Sequence, residues 1–317
     1  MKTPRLFLAL FISLTLAAPI TAQIREDNIR AELGFLASDA MQGRASGSNY
    51  ERIAAEYIGS QFLQFGLEPG GDTDNDGNKS FVQRVALESR TTWNVIGILR
   101  GSDRRAASEV IMISAHLDHL GVNEALTGDK IFNGADDDAS GSVAVIELAR
   151  VLASGKRPRR TIYFICFGSE ERGGHGSRYF IANSPVPLTQ IVADLNLEML
   201  GRPDPKVPPG TLWLTGFERS TLGPELVRRG AALVADPRPE QNFFRRSDNY
   251  ILALRGVIAH TVSSFGMHTD YHRPSDEVSK IDFPFMTKSL NSLVKPVRWL
   301  ANSNFRPAWL PGQAPTR

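Results

Sequence analysis

Three neighbouring segments decide the fold: Val110-Ile-Met-Ile-Ser114, the helical pattern Ser140–Leu152, and Thr161-Ile-Tyr-Phe-Ile-Cys-Phe167. The first and third are short apolar runs rich in β-branched and aromatic residues, which is typical of buried strands. The middle segment instead repeats its apolar residues with the spacing of a helix. A buried strand, a helix and a second buried strand in succession predict a layered α/β protein.

The same alternation continues on both sides of these segments. Further strand-like runs occur at Trp93–Leu99, Ile191–Leu197, Thr211–Leu214 and Gly256–Val262. Helical patterns begin at Asp27 and recur at Tyr50–Phe65, Gly176–Ala182, Glu218–Ala232 and Phe283–Leu300. In the last of these, Pro296 is expected to kink or split the helix. We predict a sandwich of helices around a largely parallel sheet. Since no repeat, long linker or second core pattern appears, we expect residues 23–317 to form one domain.

Composition limits the class of protein and its partners. The chain has 317 residues, a formal net charge of +2, 42% hydrophobic residues and 22% charged residues. These values are typical of a globular protein and exclude a disordered or collagen-like chain. The small net charge gives no reason to expect a nucleic-acid partner. The single cysteine, Cys166, excludes a disulfide framework and a zinc site with several thiolates, and we interpret it as an inert buried thiol.

The N-terminus has the pattern of a secretory signal peptide over residues 1–22. A basic start, Met1–Arg5, precedes an apolar or hydroxyl-bearing run, Leu6–Ala17, and small residues follow up to Ala22. The run is too short for a permanent membrane span, which needs about 20 residues. We expect cleavage after Ala22, export to the periplasm or the medium, and no stable membrane partner afterwards. An uncleaved anchor or a buried N-terminal helix is the alternative interpretation.

Two charged segments have local explanations. Asp72-Thr-Asp74-Asn-Asp76-Gly77 matches the first half of a calcium-binding loop, but Gln83 stands where an EF-hand needs a bidentate glutamate. We therefore interpret this segment as a solvated polar turn. Lys156–Arg160 is basic but lacks interleaved aromatic residues, so we interpret it as a solvated loop.

Groups that bind metals follow the predicted strands. His116 and Asp118 come directly after one strand, and Glu170 and Glu171 come directly after another. Because ligands of α/β proteins bind at the carboxyl ends of strands, these side chains stand in the right place. A histidine with a carboxylate two residues later is a common way to orient a metal-binding imidazole, although surface residues would explain the pair equally well. Two adjacent glutamates suit a division between binding a metal and accepting a proton.

Three further clusters extend this pattern. Asp136–Asp138 opens a predicted helix, where acids are stabilised by capping, but three consecutive carboxylates repel one another and a cation would neutralise them. Glu198 ends another apolar run, and His268 and His272 precede the last helix. Each cluster alone is ambiguous. Together, carboxylates and imidazoles at successive strand ends and loops favour a metal centre.

The order of these motifs resembles the M28 family of zinc aminopeptidases, whose members bind two co-catalytic metals. The matching motifs are Ala115-His-Leu-Asp-His119, Gly134-Ala-Asp-Asp-Asp-Ala-Ser-Gly141, Gly168-Ser-Glu-Glu-Arg-Gly-Gly174, Asn196-Leu-Glu-Met-Leu-Gly-Arg202 and Asp270-Tyr-His-Arg-Pro-Ser-Asp-Glu277. The resemblance extends from about Asp27 to Asp282. It implies a three-layer α/β sandwich around a mixed, mostly parallel sheet of about eight strands.

The resemblance also implies a set of metal ligands. Two Zn²⁺ would be bound by His116, Asp137, Glu171, Glu198 and His272. Asp137 would bridge the metals, a choice among the three aspartates that the residue types alone leave open. Glu198 stands where many members have aspartate, and we interpret this as variation because glutamate also binds zinc.

The implied reaction is the removal of N-terminal residues from peptides by a hydroxide that bridges the two metals. Glu170 would be the general base, Asp118 would orient His116, and Tyr271 would donate a hydrogen bond to the developing oxyanion. The implied substrates are peptides with a free N-terminus. A single-zinc enzyme resembling glutaminyl cyclases, a carboxypeptidase-like hydrolase and a non-catalytic binding protein are the alternatives on this scaffold. Retention of both His116 and Glu198 favours two metals.

The remaining candidates have competing interpretations. His268 is the alternative last ligand, whereas His119, His175 and His260 are interpreted as structural or solvated. Arg246-Ser247-Asp248 resembles a family motif near the pocket, but structural capping explains these residues equally well.

Overall fold

The computed structural model describes residues 22–316, so all of the predicted signal peptide except Ala22 lies outside the described residues. Within this range the helices are α1 (Glu26–Leu36), α2 (Asn49–Gln64), α3 (Gly141–Ala153), α4 (His175–Ala182), α5 (Leu222–Arg228), α6 (Asn249–Ala253) and α7 (Phe283–Asn302). None of these helices combines the length and the apolar character that crossing a membrane requires.

The described strands form two sheets. They are β1 (Glu68–Pro69), β2 (Val82–Ala86), β3 (Thr91–Leu99), β4 (Val110–His116), β5 (Gly121–Val122), β6 (Ile131–Phe132), β7 (Thr161–Phe167), β8 (Ile191–Glu198), β9 (Leu212–Leu214), β10 (Leu233–Ala235) and β11 (Ala259–Ser263). Strands β5 and β6 pair with each other, and the other nine form a mixed sheet in the order β1-β3-β7-β4-β8-β11-β9-β10, with β2 also paired to β3. The α/β architecture is therefore confirmed, with nine strands in the main sheet instead of about eight.

The centre of the main sheet explains its apolar sequence. Strands β7, β4, β8 and β11 are neighbours and run parallel, and every residue of β4 and β7 is buried. Helices α1, α2, α3 and α7 contribute to the core on one face, whereas α4 and α6 contribute to the core on the other. Because helices cover both faces, the central strands read as continuous apolar runs. The result is the predicted three-layer sandwich.

Strand register brings the carboxyl ends of the central strands to one edge. His116, the last residue of β4, lies opposite Phe167, the last residue of β7. Ser114 of β4 lies opposite Asn196 of β8, so Glu198 ends its strand level with His116. The loops that follow these three strands therefore begin side by side, which is where the candidate site forms.

Three local expectations are corrected by the structure. The helix expected over residues 218–232 is shortened to α5, and β10 follows it as a strand that the periodicity did not reveal. Pro296 does not split α7, which runs unbroken and buries its apolar stripe against α1 and α3. Arg160 is not solvated, because it is 1% exposed and donates to the carbonyl oxygens of Leu300 and Phe305.

Candidate metal centre

The first part of the site is the turn after β4. His116 is buried, and its Nδ1 lies 3.1 Å from the backbone carbonyl oxygen of Asp118 and 3.8 Å from the carboxylate oxygen. The backbone of Asp118 thus makes the close contact that we predicted for its side chain. The Asp118 carboxylate instead accepts the backbone N–H of Glu170 at 2.9 Å. Asp118 therefore joins the loop after β4 to the loop after β7.

The three consecutive aspartates before α3 are held in different ways. Asp136 accepts the backbone N–H of Gly201 at 2.7 Å. Asp138 accepts the backbone N–H groups of Gly141 and Met199, each at 3.0 Å. Backbone donors therefore occupy the outer two carboxylates and leave the middle one, Asp137, for other partners. This hydrogen-bonding pattern distinguishes Asp137 from its neighbours, which the residue types alone could not do.

Asp137 is the centre of the cluster. It is 2% exposed, and its Oδ1 lies 3.4 Å from His116 Nε2. Its Oδ2 lies 3.1 Å from His272 Nε2, which is also 3.3 Å from Glu171 Oε2. The nearby imidazoles outweigh the effect of burial and hold the pKa of the Asp137 carboxyl well below its ordinary value. Asp137 is therefore a buried carboxyl group approached by imidazoles at both of its oxygens.

A loop at the far side of the site holds both Asp137 and His272. The buried carboxylate of Asp276 accepts the backbone N–H groups of Asp136 and Asp137 at 3.1 Å. Arg202 donates to Asp276 at 2.9 Å and to Asp270 at 2.6 Å, so it ties this loop to the end of β8. The loop that carries His272 is thus fixed to the backbone of the aspartate triplet.

The tight turn after β7 presents the paired glutamates. A side chain at Gly168 would place its Cβ 2.4 Å from Thr92 Oγ1 and 2.6 Å from Glu51 Oε1, so only glycine fits here. Glu171 faces His272 and Asp137. Burial raises the pKa of Glu170 well above its ordinary value, and the nearby carboxyls of Glu198 and Glu171 add to this effect. One glutamate therefore belongs to the ligand cluster, and the other is a partly buried residue whose raised pKa favours the protonated form.

Glu198 borders an aromatic cleft. Burial raises the pKa of its carboxyl to about 7, and its Oε2 is buried without a hydrogen-bond partner among the described residues. The cleft is lined by Glu198, Met199, Trp213, Thr215, Phe243, Arg246, Ser247, Thr261, Ser263, Phe265 and Tyr271. Tyr271 also stacks on His272, with ring centroids 3.9 Å apart. The aromatic walls and the ligand cluster therefore meet at Tyr271 and Glu198.

The residues of the Arg246-Ser247-Asp248 segment lie in two different environments. Arg246 and Ser247 line the cleft. Asp248 lies deeper, where it accepts the hydroxyl of Ser177, and burial raises the pKa of its carboxyl to about 6. The segment thus combines cleft-lining side chains with a buried acid.

Two further histidines contact acids of the site. His268 Nε2 lies 3.0 Å from Asp136, which is not one of the predicted ligands. His119, which we interpreted as structural or solvated, is 1% exposed, and its Nδ1 lies 2.8 Å from Glu171 Oε1. The solvated interpretation of His119 is therefore wrong. The signal in the sequence was its position three residues after His116 within one strand-end motif.

Arg44 is a functional neighbour that sequence reasoning missed. Its guanidinium is 1% exposed and donates to the backbone carbonyl oxygens of Leu36, Leu117, Asn133 and Gly134. Leu117 belongs to the turn after β4, and Asn133 and Gly134 precede the aspartate triplet. Arg44 thus places a positive charge beneath the acids and joins the two loops that present His116 and Asp137.

The side chains fit a metal centre. Glu198 Oε2 and Asp137 Oδ2 are buried without a hydrogen bond from any residue in the range 22–316, although His272 lies close to the latter. Buried carboxylate oxygens need a hydrogen-bond donor or a cation. Imidazole and carboxylate are the ligands that zinc accepts besides thiolate. The residues predicted as ligands are therefore suitable in their chemistry for zinc.

Comparison with known sequences identifies related proteins. The sequence model named "Peptidase family M28" matches residues 94–294. Leupeptin-inactivating enzyme 1 of Streptomyces exfoliatus is 28% identical over 194 residues, which cover 60% of this chain and 39% of that protein. The chain spans less than half the length of the curated relatives it matches.

Solved structures share the fold. The aminopeptidase from Aneurinibacillus sp. strain AM-1 superposes with a TM-score of 0.68 and 17% identity, covering 94% of this chain and 99% of that one. A zinc aminopeptidase from Bacillus subtilis gives a TM-score of 0.66 and 14% identity, covering 89% of this chain and 96% of that one. At these identities, the likeness establishes the fold alone.

The fold and the site define a class of protein before any relative is considered. Imidazoles and carboxylates surround a buried aspartate at the carboxyl edge of an α/β sheet, which is the arrangement of a metal-binding α/β protein. Since the sequence model matches more than half of the chain, the protein belongs to peptidase family M28. The predicted family is confirmed.

Proposed function

We propose that this protein is a di-zinc aminopeptidase that removes N-terminal residues from peptides. The observation that carries the proposal is the convergence of His116 and His272 on opposite oxygens of Asp137. A carboxylate approached from both oxygens is suited to bridge two cations. Glu171 would complete the ligands on one side, and Glu198 would complete them on the other.

Zinc at this site would lower the pKa of a bound water and polarise the carbonyl of the scissile bond. Glu170 would accept the proton of the attacking water and pass it to the leaving amine, and burial suits it to hold that proton between the two steps. Asp118 would fix Glu170 through the backbone N–H that it accepts. Tyr271, stacked on His272, would donate a hydrogen bond to the developing oxyanion.

The cleft supports a role in binding the substrate's first residue. Trp213, Phe243 and Phe265 provide apolar walls, and Glu198 provides a carboxylate at the end nearest the ligand cluster. A free α-ammonium group beside acids and an apolar side chain against aromatic rings would both be stabilised here. We therefore expect peptides with a free N-terminus and an apolar first residue to be preferred.

We also propose that the protein is exported, because residues 1–22 have the pattern of a secretory signal peptide.

The substitution Glu170→Gln tests the mechanism. We expect kcat on aminoacyl anilides to fall by about 10²–10⁴-fold, because a positioned acid–base group is lost, while zinc stays bound. Glu218→Gln changes an exposed glutamate and should leave kcat unchanged. Full activity of Glu170→Gln with zinc bound would exclude the assigned base.

Two further measurements separate the alternatives. N-acetylated substrates should be cleaved much more slowly than those with a free amine, and equal rates would indicate an endopeptidase or amidase. Metal analysis at saturation should find two zinc ions per chain. A single zinc ion would favour the enzyme that resembles glutaminyl cyclases.

A further inference from the structure

His119 lies inside the ligand cluster, although the resemblance to the family assigned it no role. Its Nδ1 is 2.8 Å from Glu171 Oε1 and 3.8 Å from Asp137 Oδ2. One ligand atom from each of His119, Asp137 and Glu171 lies within 4.8 Å of the other two. The ring also meets the His272 ring edge-on, with centroids 5.7 Å apart. His119 thus faces the same side of Asp137 as His272 does.

The distances lie within about 0.5 Å of those expected around one tetrahedral zinc ion. Nitrogen and oxygen ligands about 2.0–2.2 Å from zinc lie roughly 3.3–3.6 Å from one another. The pair His272–Asp137 is separated by 3.1 Å, and the pair His272–Glu171 by 3.3 Å. The two His119 distances bracket the expected range from either side. Four side chains therefore surround a volume that a single ion could fill.

The backbone holds the His119 ring in this position. Its N–H donates to the carbonyl oxygen of Arg44 at 3.2 Å, and Ala45 forms a β-bridge with it. A Cβ at Gly134 would lie 2.5 Å from the His119 ring, so the absence of a side chain there makes room for the imidazole. No described residue binds the second ring nitrogen, Nε2, which is buried. Within the described part of the chain, the ring nitrogens therefore contact only the ligand cluster.

We propose that His119 Nδ1 is a fourth protein ligand of the metal held by Asp137, Glu171 and His272. The coordination shell of that metal is then filled by two imidazoles and two carboxylates. The other metal, held by His116, Asp137 and Glu198, keeps open positions and borders the aromatic cleft. The inference rests on the proposed di-zinc function and gives the two metals different roles. The metal with four protein ligands would stay bound, and the metal with open positions would bind the substrate.

X-ray absorption on the fully zinc-loaded wild-type protein tests the ligand directly. Three histidines on two zinc ions predict an average of about 1.5 imidazoles per zinc, against about 1 if His119 does not bind. The substitution His119→Gln should lower the average to about 1. A zinc-loaded crystal structure should place Nδ1 about 2.0–2.1 Å from the metal, and a separation above roughly 3 Å would overturn the proposal.

Competition with a chromophoric chelator gives an independent readout. In the wild type, one zinc should be removed readily and the other slowly. In His119→Gln the tighter affinity should fall by more than about 100-fold, because loss of a partner outside the ligand set typically costs only about 10–100-fold. His175→Gln is the matched histidine control and should leave both affinities unchanged. If the affinity for the more tightly bound zinc falls by less than about 10-fold in His119→Gln, the result would count against ligation by His119.

These outcomes are distinct from failure of the proposed function. Binding of fewer than two zinc ions to the wild type would contradict the di-zinc proposal itself. Two bound zinc ions and peptide cleavage, with an average of one imidazole per zinc, would contradict only the role of His119. If His119→Gln fails to fold, the wild-type absorption spectrum and crystal structure still decide.

Discussion

Two groups of three aspartates occur in this chain, and the structure treats them in opposite ways. Asp136–Asp138 is buried, with exposed fractions of 0%, 2% and 0%, at the carboxyl edge of the sheet. Asp72, Asp74 and Asp76 lie in a turn between β1 and β2, where Asp74 and Asp76 are exposed. Both groups have the same charge. Acid content alone therefore does not distinguish a metal centre from a surface turn.

The difference lies in what occupies the carboxylate oxygens. Asp74 accepts the backbone N–H groups of Asp76 and Asn78 at 2.9 and 2.8 Å, and these bonds hold its pKa below the ordinary value. Asp72 accepts the backbone N–H of Arg84 at 2.7 Å. Backbone N–H groups of the turn and of β2 thus satisfy two of the three carboxylates, those of Asp72 and Asp74. In the buried triplet, backbone donors satisfy Asp136 and Asp138, and Asp137 remains directed at imidazoles.

The largest effect is expected from comparing Asp137→Asn with Asp74→Asn. Asparagine keeps the shape but removes the charge that would join two cations. We expect Asp137→Asn to lose bound zinc and at least about 10³-fold in kcat/KM, which corresponds to roughly 4 kcal/mol. Asp74→Asn should retain both. Metal analysis and initial rates on an aminoacyl anilide check the pair, and equal effects of the two substitutions would contradict the distinction drawn here.

The second comparison replaces one arginine that lies close to each group. Arg44 is buried beneath Asp136–Asp138 and donates to four carbonyl oxygens, whereas the exposed Arg84 follows the surface turn. Arg44→Met leaves buried carbonyls and carboxylates without their cation, so we expect a loss of about 3–5 kcal/mol in the free energy of unfolding. Arg84→Met should change it by less than about 0.5 kcal/mol.

Urea unfolding of both variants, with and without zinc, measures these losses. The loss in Arg44→Met should be larger without zinc, because a bound metal would supply part of the missing positive charge. A loss in Arg44→Met no larger than that in Arg84→Met would show that the buried arginine does not stabilise the ligand loops.

The sequence predicted the fold where the physical signal was local. The runs at β4 and β7 are continuous because both faces of those strands are covered, and α3 forms where the apolar residues repeat with helical spacing. Strand β10 escaped prediction because it has only three residues, of which one is exposed. The effect of Pro296 was overestimated because the buried stripe of α7 outweighs one lost hydrogen bond.

The site was predictable in its residue types and less so in its details. Strand-end position identified His116 and the pair Glu170 and Glu171, and the family resemblance selected Glu171 and Asp137 as ligands. The choice among the three aspartates depends on N–H groups of Gly141, Met199 and Gly201, two of which are distant in sequence. The role of Arg44 could not be predicted either, because its partners are backbone carbonyl oxygens, which leave no pattern of residue types in the sequence.

A buried acid outside the site provides a third comparison. Glu32 is buried beside Glu147, and burial first, then Glu147, raises its pKa to about 9 from an ordinary value of 4.5. The folded protein therefore keeps this proton up to about pH 9, whereas the unfolded chain releases it near pH 4.5. Between these values the folded state binds more protons, so the free energy of unfolding falls as pH rises.

The substitution Glu32→Gln should make that fall shallower between pH 5 and pH 9, because glutamine has no proton to release. Glu56→Gln, at an exposed position on α2, should leave the slope unchanged. Urea midpoints across this pH range measure both slopes. An unaltered slope in Glu32→Gln would show that Glu32 is ionised in the folded protein.

The smallest effect is expected when calcium is added to the metal-free wild type. A cation that bound the folded state alone at 100 times its dissociation constant would add about 2.7 kcal/mol and raise Tm by several degrees. Because Asp72 and Asp74 already accept backbone N–H groups, we expect millimolar Ca²⁺ to leave Tm unchanged in both the wild type and Asp74→Asn. A rise in the wild type that Asp74→Asn abolishes would show that the exposed turn binds a cation after all. In that case burial would not be what separates the two groups, and the hydrogen-bond donors around Asp74 would have to move away for the ion to bind.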